Sequence, residues 1–183
     1  MRIVGSVIAR AGSKRLPFKN LLPYQGIPLV RRAVLKLVGS KLFSDIVLST
    51  DSELIARTCL GIEGVSILRR PDDLAQDDTA SIPVFQHITE SFPCDVHLNY
   101  NCNFPECPNE IFNQAISFAL ETGESLSDPY AVWAQTNECL KNYGNPFEIS
   151  AKIFPAKSVH PVDVHTLEDL ILVHKQNQPV FDW

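Results

Sequence analysis

The residues with the clearest chemical potential in this sequence are cations clustered near its start. Four basic side chains lie between residues 10 and 19 of a chain with a formal net charge of −5: Arg10, Lys14, Arg15 and Lys19. Between them, Gly12 permits close backbone approach and Ser13 can donate to phosphate oxygens. Such a cluster could offset the charge of a triphosphate through charge-assisted hydrogen bonds. A basic run is also commonly a solvated loop, so the residues alone leave both interpretations open.

These cations follow the first of six segments whose apolar pattern predicts strands: 3–9, 45–49, 65–68, 95–99, 130–134 and 148–154. Helical spacing of apolar residues predicts helices over 29–38, 82–88 and 111–120. Thr50 and Thr166 are each followed by a carboxylate three residues later, which indicates two further helix starts. The segment 122–129, of small and acidic residues, is expected to be the loosest part of the chain.

Strands that alternate with helices predict an α/β fold, with a mostly parallel sheet and helices on both faces. The basic segment then follows the carboxyl end of the first strand. Open α/β sheets bind ligands at that edge, because the loops after parallel strands converge there. We therefore expect the cations to face a ligand site.

Composition narrows the classes of protein to consider. With 183 residues, 45% of them hydrophobic, the chain can bury a core, and we expect a single domain over residues 1–183. Its acidic balance gives no general attraction for nucleic acid or an anionic membrane, so neither partner is expected. No apolar run approaches the roughly 18 residues of a spanning helix. Five cysteines without a C-x-x-C pair predict reduced thiols and a cytoplasmic location.

Four sequence blocks resemble one known family. The segment A-R-A-G-S-K-R-L-P-F-K-N, residues 9–20, resembles the nucleotide-binding segment of the acylneuraminate cytidylyltransferase family, which includes the CMP-sialic acid synthetases. Residues 46–56 resemble the second strand and following helix of that family, and residues 69–81 its base-recognition segment. Residues 162–170 resemble its late metal-binding stretch. The four blocks occur in the family's order, and the chain lacks the glycine patterns of P-loop and dinucleotide-binding proteins.

The resemblance implies a Rossmann-like nucleotide-diphospho-sugar transferase fold and a reaction of CTP with an acceptor hydroxyl, giving a CMP-linked product and pyrophosphate. It implies that Arg10 and Lys19 are catalytic phosphate clamps. Asn20 would orient the loop or contact the ribose. The nucleotide-binding residues it implies are Ala9, Arg10, Ala11, Gly12, Ser13, Lys14, Arg15, Lys19, Asn20, Arg70, Ala80 and Ser81. Four carboxylates of the third block fit, for the most part, an acidic surface turn: Asp72, Asp73, Asp77 and Asp78.

A nucleoside triphosphate implies Mg²⁺ as the cofactor, and Mg²⁺ prefers one or two carboxylates together with phosphate oxygens and waters. Asp163 is the candidate ligand. The family has a second aspartate two residues later, on the same face of an extended segment, where this chain has His165. Imidazole is a poor ligand for Mg²⁺. Three interpretations stay open: Asp163 and waters hold the metal, His165 acts as a base or supporting group toward the acceptor, or His165 merely precedes the cap at Thr166.

The acceptor segment departs from the family. Sialic-acid enzymes carry L-Q-P-T-S-P-L-R after the fourth strand, whereas residues 98–105 here read L-N-Y-N-C-N-F-P. Asn99, Asn101 and Asn103 are the candidate acceptor-binding residues. The family's insertion that reaches a partner subunit is reduced to residues 122–145, although a homodimer stays compatible with the resemblance. We expect a small acidic acceptor: a smaller acid, a different deoxy-ulosonic acid or a phosphonate.

Two rival interpretations remain. The lost second aspartate and the altered acceptor segment also fit a catalytically weakened relative that binds nucleotide as a sensor or partner subunit. A nucleotidyltransferase of the same fold that prefers another base is equally compatible with the chemistry of the basic loop. Pyrophosphate release from CTP across a panel of acceptors would separate these interpretations.

Overall fold

A computed structural model gives the fold and describes residues 1–146 and 151–177. The strands are β1 Ile3–Ile8, β2 Pro23–Tyr24, β3 Ile27–Pro28, β4 Asp45–Thr50, β5 Val65–Arg69, β6 Val96–Tyr100, β7 Glu124–Asp128, β8 Val132–Thr136 and β9 Lys152–Pro155. The helices are α1 Leu29–Ser40, α2 Glu53–Cys59, α3 Ser81–Ser91, α4 Asn109–Thr122, α5 Asn137–Lys141 and α6 Leu167–Gln176.

Seven strands form one sheet in the order β5-β4-β1-β6-β8-β7-β9, and β2 pairs with β3 in a separate hairpin. In the main sheet, β8 runs antiparallel to its neighbours β6 and β7, and the other neighbouring pairs are parallel. This order requires crossover connections, which the helices supply. The α/β fold with a mostly parallel sheet is therefore confirmed.

Helices pack on both faces of this sheet. On one face, apolar residues of α1 and α4, such as Val34 and Phe112, share a core with Leu98 of β6. On the other face, Val84 and Ile88 of α3 pack against Val4 of β1. Because alternate residues of a strand point to opposite faces, both cores fix the register of β1 and β6. The two layers thus hold the carboxyl ends of these strands in place.

The predicted helix starts had different outcomes. Thr166 caps α6 in a reciprocal capping box with Asp169, as predicted. The prediction for Thr50 was wrong, because Thr50 ends β4 and Ser52 caps α2, accepting a hydrogen bond from the Ile55 N–H at 3.3 Å. The Thr50 hydroxyl accepts instead from the Ser52 N–H at 3.1 Å. The capping prediction had placed Asp51 and Ser52 inside the helix. In the structure they precede it, and α2 begins at Glu53.

The largest difference from the sequence prediction is β7, which lies in the segment expected to be loosest. Its polar side chains are satisfied inside the protein: the Ser125 hydroxyl donates to the Ala115 carbonyl at 2.6 Å, and the Trp133 indole N–H donates to Glu124 at 2.8 Å. Because its buried residues are mostly polar, β7 lacks the alternation of apolar and polar residues from which a strand is predicted. The strand expected over 148–154 appears as β9, and residues 148–150 lie outside the described residues. None of the described helices is long and apolar enough to cross a membrane.

Candidate active site

A cavity of about 440 Å³ lies beside the carboxyl ends of β1 and β6. Most of the predicted site residues line it: Arg10, Gly12, Ser13, Lys14, Arg15, Lys19, Asn20, Arg70, Ala80, Ser81, Asn99, Asn101, Asn103 and His165. Among the described residues, Ala9, Ala11 and Asp163 belong to the prediction but do not line the cavity. The fold therefore brings residues from three of the four sequence blocks to one place, and Asp51 of the remaining block accepts a hydrogen bond from the Ala11 N–H of the basic loop.

The basic loop after β1 is held by its own backbone and by one amide side chain. The Ala9 N–H donates to the Ser49 carbonyl at 3.0 Å, and the Ala11 N–H donates to Asp51 Oδ1 at 3.0 Å. The Asn20 amide donates to the Arg10 carbonyl at 3.0 Å. These contacts fix the start and the end of the loop against β4 and against each other. Ala9 and Ala11 thus position the loop, although they lie outside the cavity lining.

Lys19 lies near the end of this loop, lines the cavity and is half-buried. Its pKa is lowered, chiefly because burial removes water from the ammonium group, and Arg15 and Arg10 nearby lower it further. Cys102 and Asp163 oppose this shift. An ammonium group that has lost hydration beside other cations gains from an anion in the cavity. The position of Lys19 is therefore suited to a phosphate.

Arg70, just after β5, also lines the cavity and is only 4% exposed. Its guanidinium donates to the Ser49 carbonyl at 2.9 Å and to the Ser49 hydroxyl at 3.3 Å. Burial lowers the pKa of Arg70 to about 10, so the group stays charged at neutral pH. A buried cation held in place by neutral partners offers a fixed hydrogen-bond donor to a ligand.

The carboxylate of Asp77 enters the cavity and binds two cations of the basic loop. It accepts from the Arg10 guanidinium and forms an ion pair with Lys14 Nζ at 2.6 Å. Hydrogen bonds from Lys14 and Arg10 lower the pKa of Asp77. Asp77 lies in an exposed turn, as predicted for this segment, and its neighbours Asp72 and Asp78 are exposed as well. Unlike them, Asp77 also lines the cavity. The sequence gave no indication of the contact between Arg10 and Asp77, because the two residues are 67 positions apart in the chain.

The acceptor segment after β6 is held by a network of amide groups. Asn99 is 1% exposed, and its Oδ1 lies 3.3 Å from the Ser6 hydroxyl oxygen. Asn101 accepts from the Asn103 N–H at 3.1 Å and donates to the Tyr130 carbonyl at 3.2 Å. These bonds, together with the burial of Cys102 and Phe104 in the core, give the loop a defined shape.

Tyr130 is a cavity residue that the sequence did not single out. Its hydroxyl hydrogen-bonds with Ser81 and Asn99, and burial raises its pKa above the ordinary tyrosine value. It therefore joins α3 to the acceptor segment. The sequence pattern placed Tyr130 at the start of a strand and gave no sign of this role.

Asp163 and His165 form the fourth part of the site. His165 Nε2 lies 2.8 Å from Asp163 Oδ2, and Asp163 Oδ1 is buried without a hydrogen-bond partner among the described residues. An orphaned buried carboxylate oxygen is costly unless a cation or a donor binds it. Within residues 1–146 and 151–177, no group of three or more His, Cys, Asp or Glu residues could hold a metal ion. The unpartnered Oδ1 of Asp163 fits a divalent cation that takes one protein carboxylate.

Behind Asn99, a buried row of polar side chains crosses the sheet. His97 is fully buried, with Nε2 2.8 Å from the Ser6 hydroxyl and Nδ1 3.3 Å from Gln135 Oε1. Gln135 donates in turn to Glu124 at 3.5 Å. Burial lowers the pKa of His97 to about 4, so the ring is neutral near pH 7. With Nδ1 donating to Gln135, Nε2 accepts from Ser6, which orients the hydroxyl next to Asn99.

The sheet order and the helices on both faces define a Rossmann-like α/β protein, with a cation-lined cavity at the carboxyl edge of its sheet. The family model for cytidylyltransferases matches residues 4–176. The chain therefore belongs to the cytidylyltransferase family.

Individual relatives agree with this assignment. The chain is 40% identical over 77 residues to the CMP-N,N'-diacetyllegionaminic acid synthase of Legionella pneumophila, covering 42% of this chain and 33% of that protein. Alignments to this and other curated relatives span only between 22% and 36% of their lengths. The matched segments are thus a minor part of those longer proteins.

Two solved structures share the fold across the whole chain. A CMP:2-keto-3-deoxy-manno-octonic acid synthetase, solved in complex with CTP, superposes with a TM-score of 0.79 at 14% identity, covering 96% of this chain and 98% of that one. Rv0371c of Mycobacterium tuberculosis, solved in complex with manganese, has a TM-score of 0.67 at 17% identity, covering 97% and 100%. At these identities the comparison establishes the shared fold.

Proposed function

We propose that this chain transfers CMP from CTP to a small acidic, sugar-like acceptor and releases pyrophosphate. The observation that carries the proposal is the convergence of Arg10, Lys14, Arg15 and Lys19 on one cavity at the carboxyl edge of the sheet. Membership of the cytidylyltransferase family supports CTP as the nucleotide. The names of relatives, one a CMP-sugar-acid synthase, support an acidic acceptor.

The basic loop is proposed to hold the triphosphate. Lys19, half-buried in the cavity lining, and Arg10, fixed by Asn20 through its carbonyl, would bind phosphate oxygens and stabilise the pyrophosphate as it leaves. Fixed donors at the place where charge develops lower the barrier because they need no reorganisation during the reaction. Ser13, Lys14 and Arg15 would close the loop around the outer phosphates.

Base recognition is proposed for Arg70 and the start of α3. Ala80 and Ser81 line the cavity where this helix begins, and the first N–H groups of a helix lack partners within it. Such donors suit the carbonyl oxygen and ring nitrogen of cytosine, which accept hydrogen bonds. Arg70 adds one fixed cationic donor beside them.

Asp163 is proposed to hold a divalent cation, with Mg²⁺ as the expected ion. Its Oδ1 is buried and unpartnered in the described structure, and carboxylate oxygen is the donor that Mg²⁺ prefers. When bound, the cation would offset triphosphate charge and supply Lewis-acid polarisation. The manganese complex of a protein with this fold supports a divalent ion. Mg²⁺ itself, a homodimer and a cytoplasmic location remain predictions of the sequence.

The acceptor is proposed to lie against Asn99, Asn101 and Asn103. In the transfer step, the acceptor hydroxyl oxygen forms a bond to the α-phosphorus. The bond from that phosphorus to the oxygen bridging to the β-phosphorus breaks, and pyrophosphate leaves with the electron pair. The hydroxyl proton would pass to His165 or to solvent. His165 Nε2 lies 2.8 Å from Asp163 Oδ2, so Nδ1 would be the ring nitrogen that receives the proton.

Pyrophosphate release tests this function. The purified chain is incubated with CTP, Mg²⁺ and a panel of acceptors that includes 2-keto-3-deoxy acids and phosphonates, with ATP, GTP and UTP as alternative nucleotides. We expect release that requires CTP together with one acidic acceptor class. Binding of CTP without turnover on any acceptor would favour a nucleotide sensor, an interpretation that the pairing of Asp163 with His165 also fits. Equal use of the nucleotides would remove the cytidine assignment.

A further inference from the structure

The carboxylate of Asp77 occupies the two cations that a phosphate would otherwise bind. It contacts the Arg10 guanidinium and lies 2.6 Å from Lys14 Nζ. These cations belong to the loop after β1, whereas Asp77 belongs to the segment between β5 and α3. A carboxylate and a phosphate oxygen make the same kind of charge-assisted contact with Arg and Lys. An anionic ligand would therefore compete with Asp77 for Arg10 and Lys14.

We propose that Asp77 is an internal competitor that sets how tightly a phosphate anion must bind in order to occupy the loop. This inference rests on the proposed use of the loop for a triphosphate. An anion can bind Arg10 and Lys14 only in the fraction of molecules in which Asp77 has released them. Its apparent dissociation constant is raised by the inverse of that fraction. Asp77 is attached to the chain, so dilution does not weaken its competition.

The competition weakens the binding of every anion that needs Arg10 and Lys14, but a polyphosphate has further contacts that offset this loss. An inorganic phosphate ion that displaces Asp77 exchanges one set of ionic contacts for another and gains little. A pyrophosphate or triphosphate chain can replace Asp77 and also reach Arg15 and Lys19, which line the same cavity. Asp77 therefore sets an affinity threshold, which a polyphosphate passes through these extra contacts and the smaller anion does not.

The test compares Asp77→Asn with the wild-type chain by isothermal titration with inorganic phosphate, pyrophosphate, CTP and cytidine. Asparagine keeps the shape of the side chain but removes its charge. Asp78→Asn is the matched control, because it makes the same change in net charge one residue away at an exposed position. None of the ion pairs among the described residues includes Asp78.

We expect Asp77→Asn to bind pyrophosphate and CTP about three- to tenfold more tightly, as two partly exposed ion pairs would allow. Phosphate binding should strengthen by the same factor. Cytidine carries no charge and does not compete with Asp77, so its affinity should not change. Asp78→Asn should bind all four probes as the wild type does.

Several results would overturn the proposal. Weaker or unchanged anion binding by Asp77→Asn would mean that Asp77 organises the loop instead of competing for it. An equal gain in Asp78→Asn would reduce the effect to net charge, and a change for cytidine would mean that the pocket had been reshaped. If neither protein binds any phosphate anion, the proposed function fails together with this inference. If CTP binds no more tightly than other nucleoside triphosphates do, only the cytidine assignment fails. The titration with pyrophosphate still tests the role of Asp77.

A coupled pair of variants adds an independent check. In the Arg10→Ala, Lys14→Ala background, Asp77 has lost both partners, so adding Asp77→Asn should leave pyrophosphate affinity unchanged. Coupling of this kind isolates the interaction between contacting residues. A gain from Asp77→Asn that persists without the two cations would contradict competition at these side chains.

Discussion

Lys19 is the residue on which phosphate binding depends most in this account, because its ammonium is both desolvated and close to other cations. Removing it should leave phosphate charge without a compensating partner inside the cavity. We expect Lys19→Ala to weaken CTP binding by about 2–3 kcal/mol, as for the loss of a charged hydrogen-bond partner. Isothermal titration with CTP measures the effect.

Lys36→Ala provides a matched control for Lys19. Burial also lowers the pKa of Lys36, which lies in α1 and outside the cavity lining. This variant should bind CTP as the wild type does. If both lysine variants bind CTP normally, the basic loop is only a solvated loop.

Asp163 and His165 allow a test of how the cation is held. Asp163→Asn should abolish turnover while leaving CTP binding without metal largely intact, because it removes the carboxylate whose Oδ1 is unpartnered. His165→Asp adds a second carboxylate and should lower the Mg²⁺ concentration for half-maximal activity, since Mg²⁺ prefers carboxylate to imidazole. A kinetic titration with Mg²⁺ measures both.

The rate of His165→Asp decides whether the imidazole does chemistry. If His165 is the base, this variant should need less metal but turn over more slowly, so the two measures move in opposite directions. A His165→Asp protein unchanged in both metal requirement and rate would leave His165 as a residue that only precedes the helix cap.

At the residue scale, sequence reasoning located the cations because their types and spacing are local. It located Arg70 through the resemblance of its block. It missed Asp77 and Tyr130, whose contacts in the cavity depend on how distant segments meet. Among the remaining candidates, Asn20 is placed by the structure as a loop-fixing residue that donates to the Arg10 carbonyl and accepts from the Cys102 thiol at 3.3 Å.

At the scale of elements, the cap of α6 links helix stability to the candidate metal site. Asp169 accepts from the backbone N–H of Thr166 at 2.8 Å and of His165 at 3.0 Å. We expect Thr166→Ala to lower the free energy of unfolding by about 1 kcal/mol, the usual cost of losing a helix cap. It should also raise the Mg²⁺ concentration needed for activity, because the loss of the bond from the Asp169 N–H to the Thr166 hydroxyl at 3.2 Å loosens the helix turn whose Asp169 carboxylate holds the segment carrying Asp163.

Thr136→Ala is the control for this element. Thr136 caps α5, accepting from the Cys139 N–H at 3.2 Å, and does not line the cavity. Urea unfolding should show a similar loss of stability, whereas the Mg²⁺ requirement should stay at the wild-type value. A rise in the Mg²⁺ requirement of both variants would mean that general destabilisation, not the α6 cap, affects the cation.

Element prediction succeeded where apolar periodicity is strong and failed where polar groups are buried. The helices α1, α3 and α4 carry apolar stripes and lie close to their predicted positions. β7 was missed because Glu124, Ser125 and Ser127 satisfy their polar groups within the protein. The hairpin of β2 and β3 was missed because each strand has only two residues.

At the scale of the whole molecule, the buried His97 links stability to pH. The pKa of His97 is lowered to about 4 in the folded chain, against about 6.5 when unfolded. Between these values the unfolded chain takes up a proton that the folded chain excludes, so stability is full above pH 6.5 and falls as the pH falls. The loss should reach about 3 kcal/mol near pH 4.

Urea unfolding between pH 7 and pH 5 measures this slope while most carboxylates stay ionised. His97→Gln keeps hydrogen-bonding groups but cannot titrate, and its stability should depend less on pH in this range. An NMR titration of the His97 ring in the wild type gives the same answer without a variant. A ring that titrates near pH 6.5 in the folded chain would contradict the buried neutral histidine.

The order of the strands could be anticipated only through the family resemblance, because pairing between distant segments leaves no local signal. The resemblance covered four blocks, and the sheet brings those blocks to one edge. Local patterns thus gave the fold class and the basic loop. The antiparallel β8 and the polar row behind Asn99 required the structure.

The central claim, transfer of CMP from CTP to an acidic acceptor, is tested most directly by following labelled phosphorus. CTP labelled at the α-phosphorus and CTP labelled at the γ-phosphorus are incubated separately with the chain, Mg²⁺ and the acceptor panel. We predict that the α-label appears in an acceptor-linked product and the γ-label in pyrophosphate. The α-label appearing only in free CMP, or remaining in CTP with every acceptor, would contradict the claim.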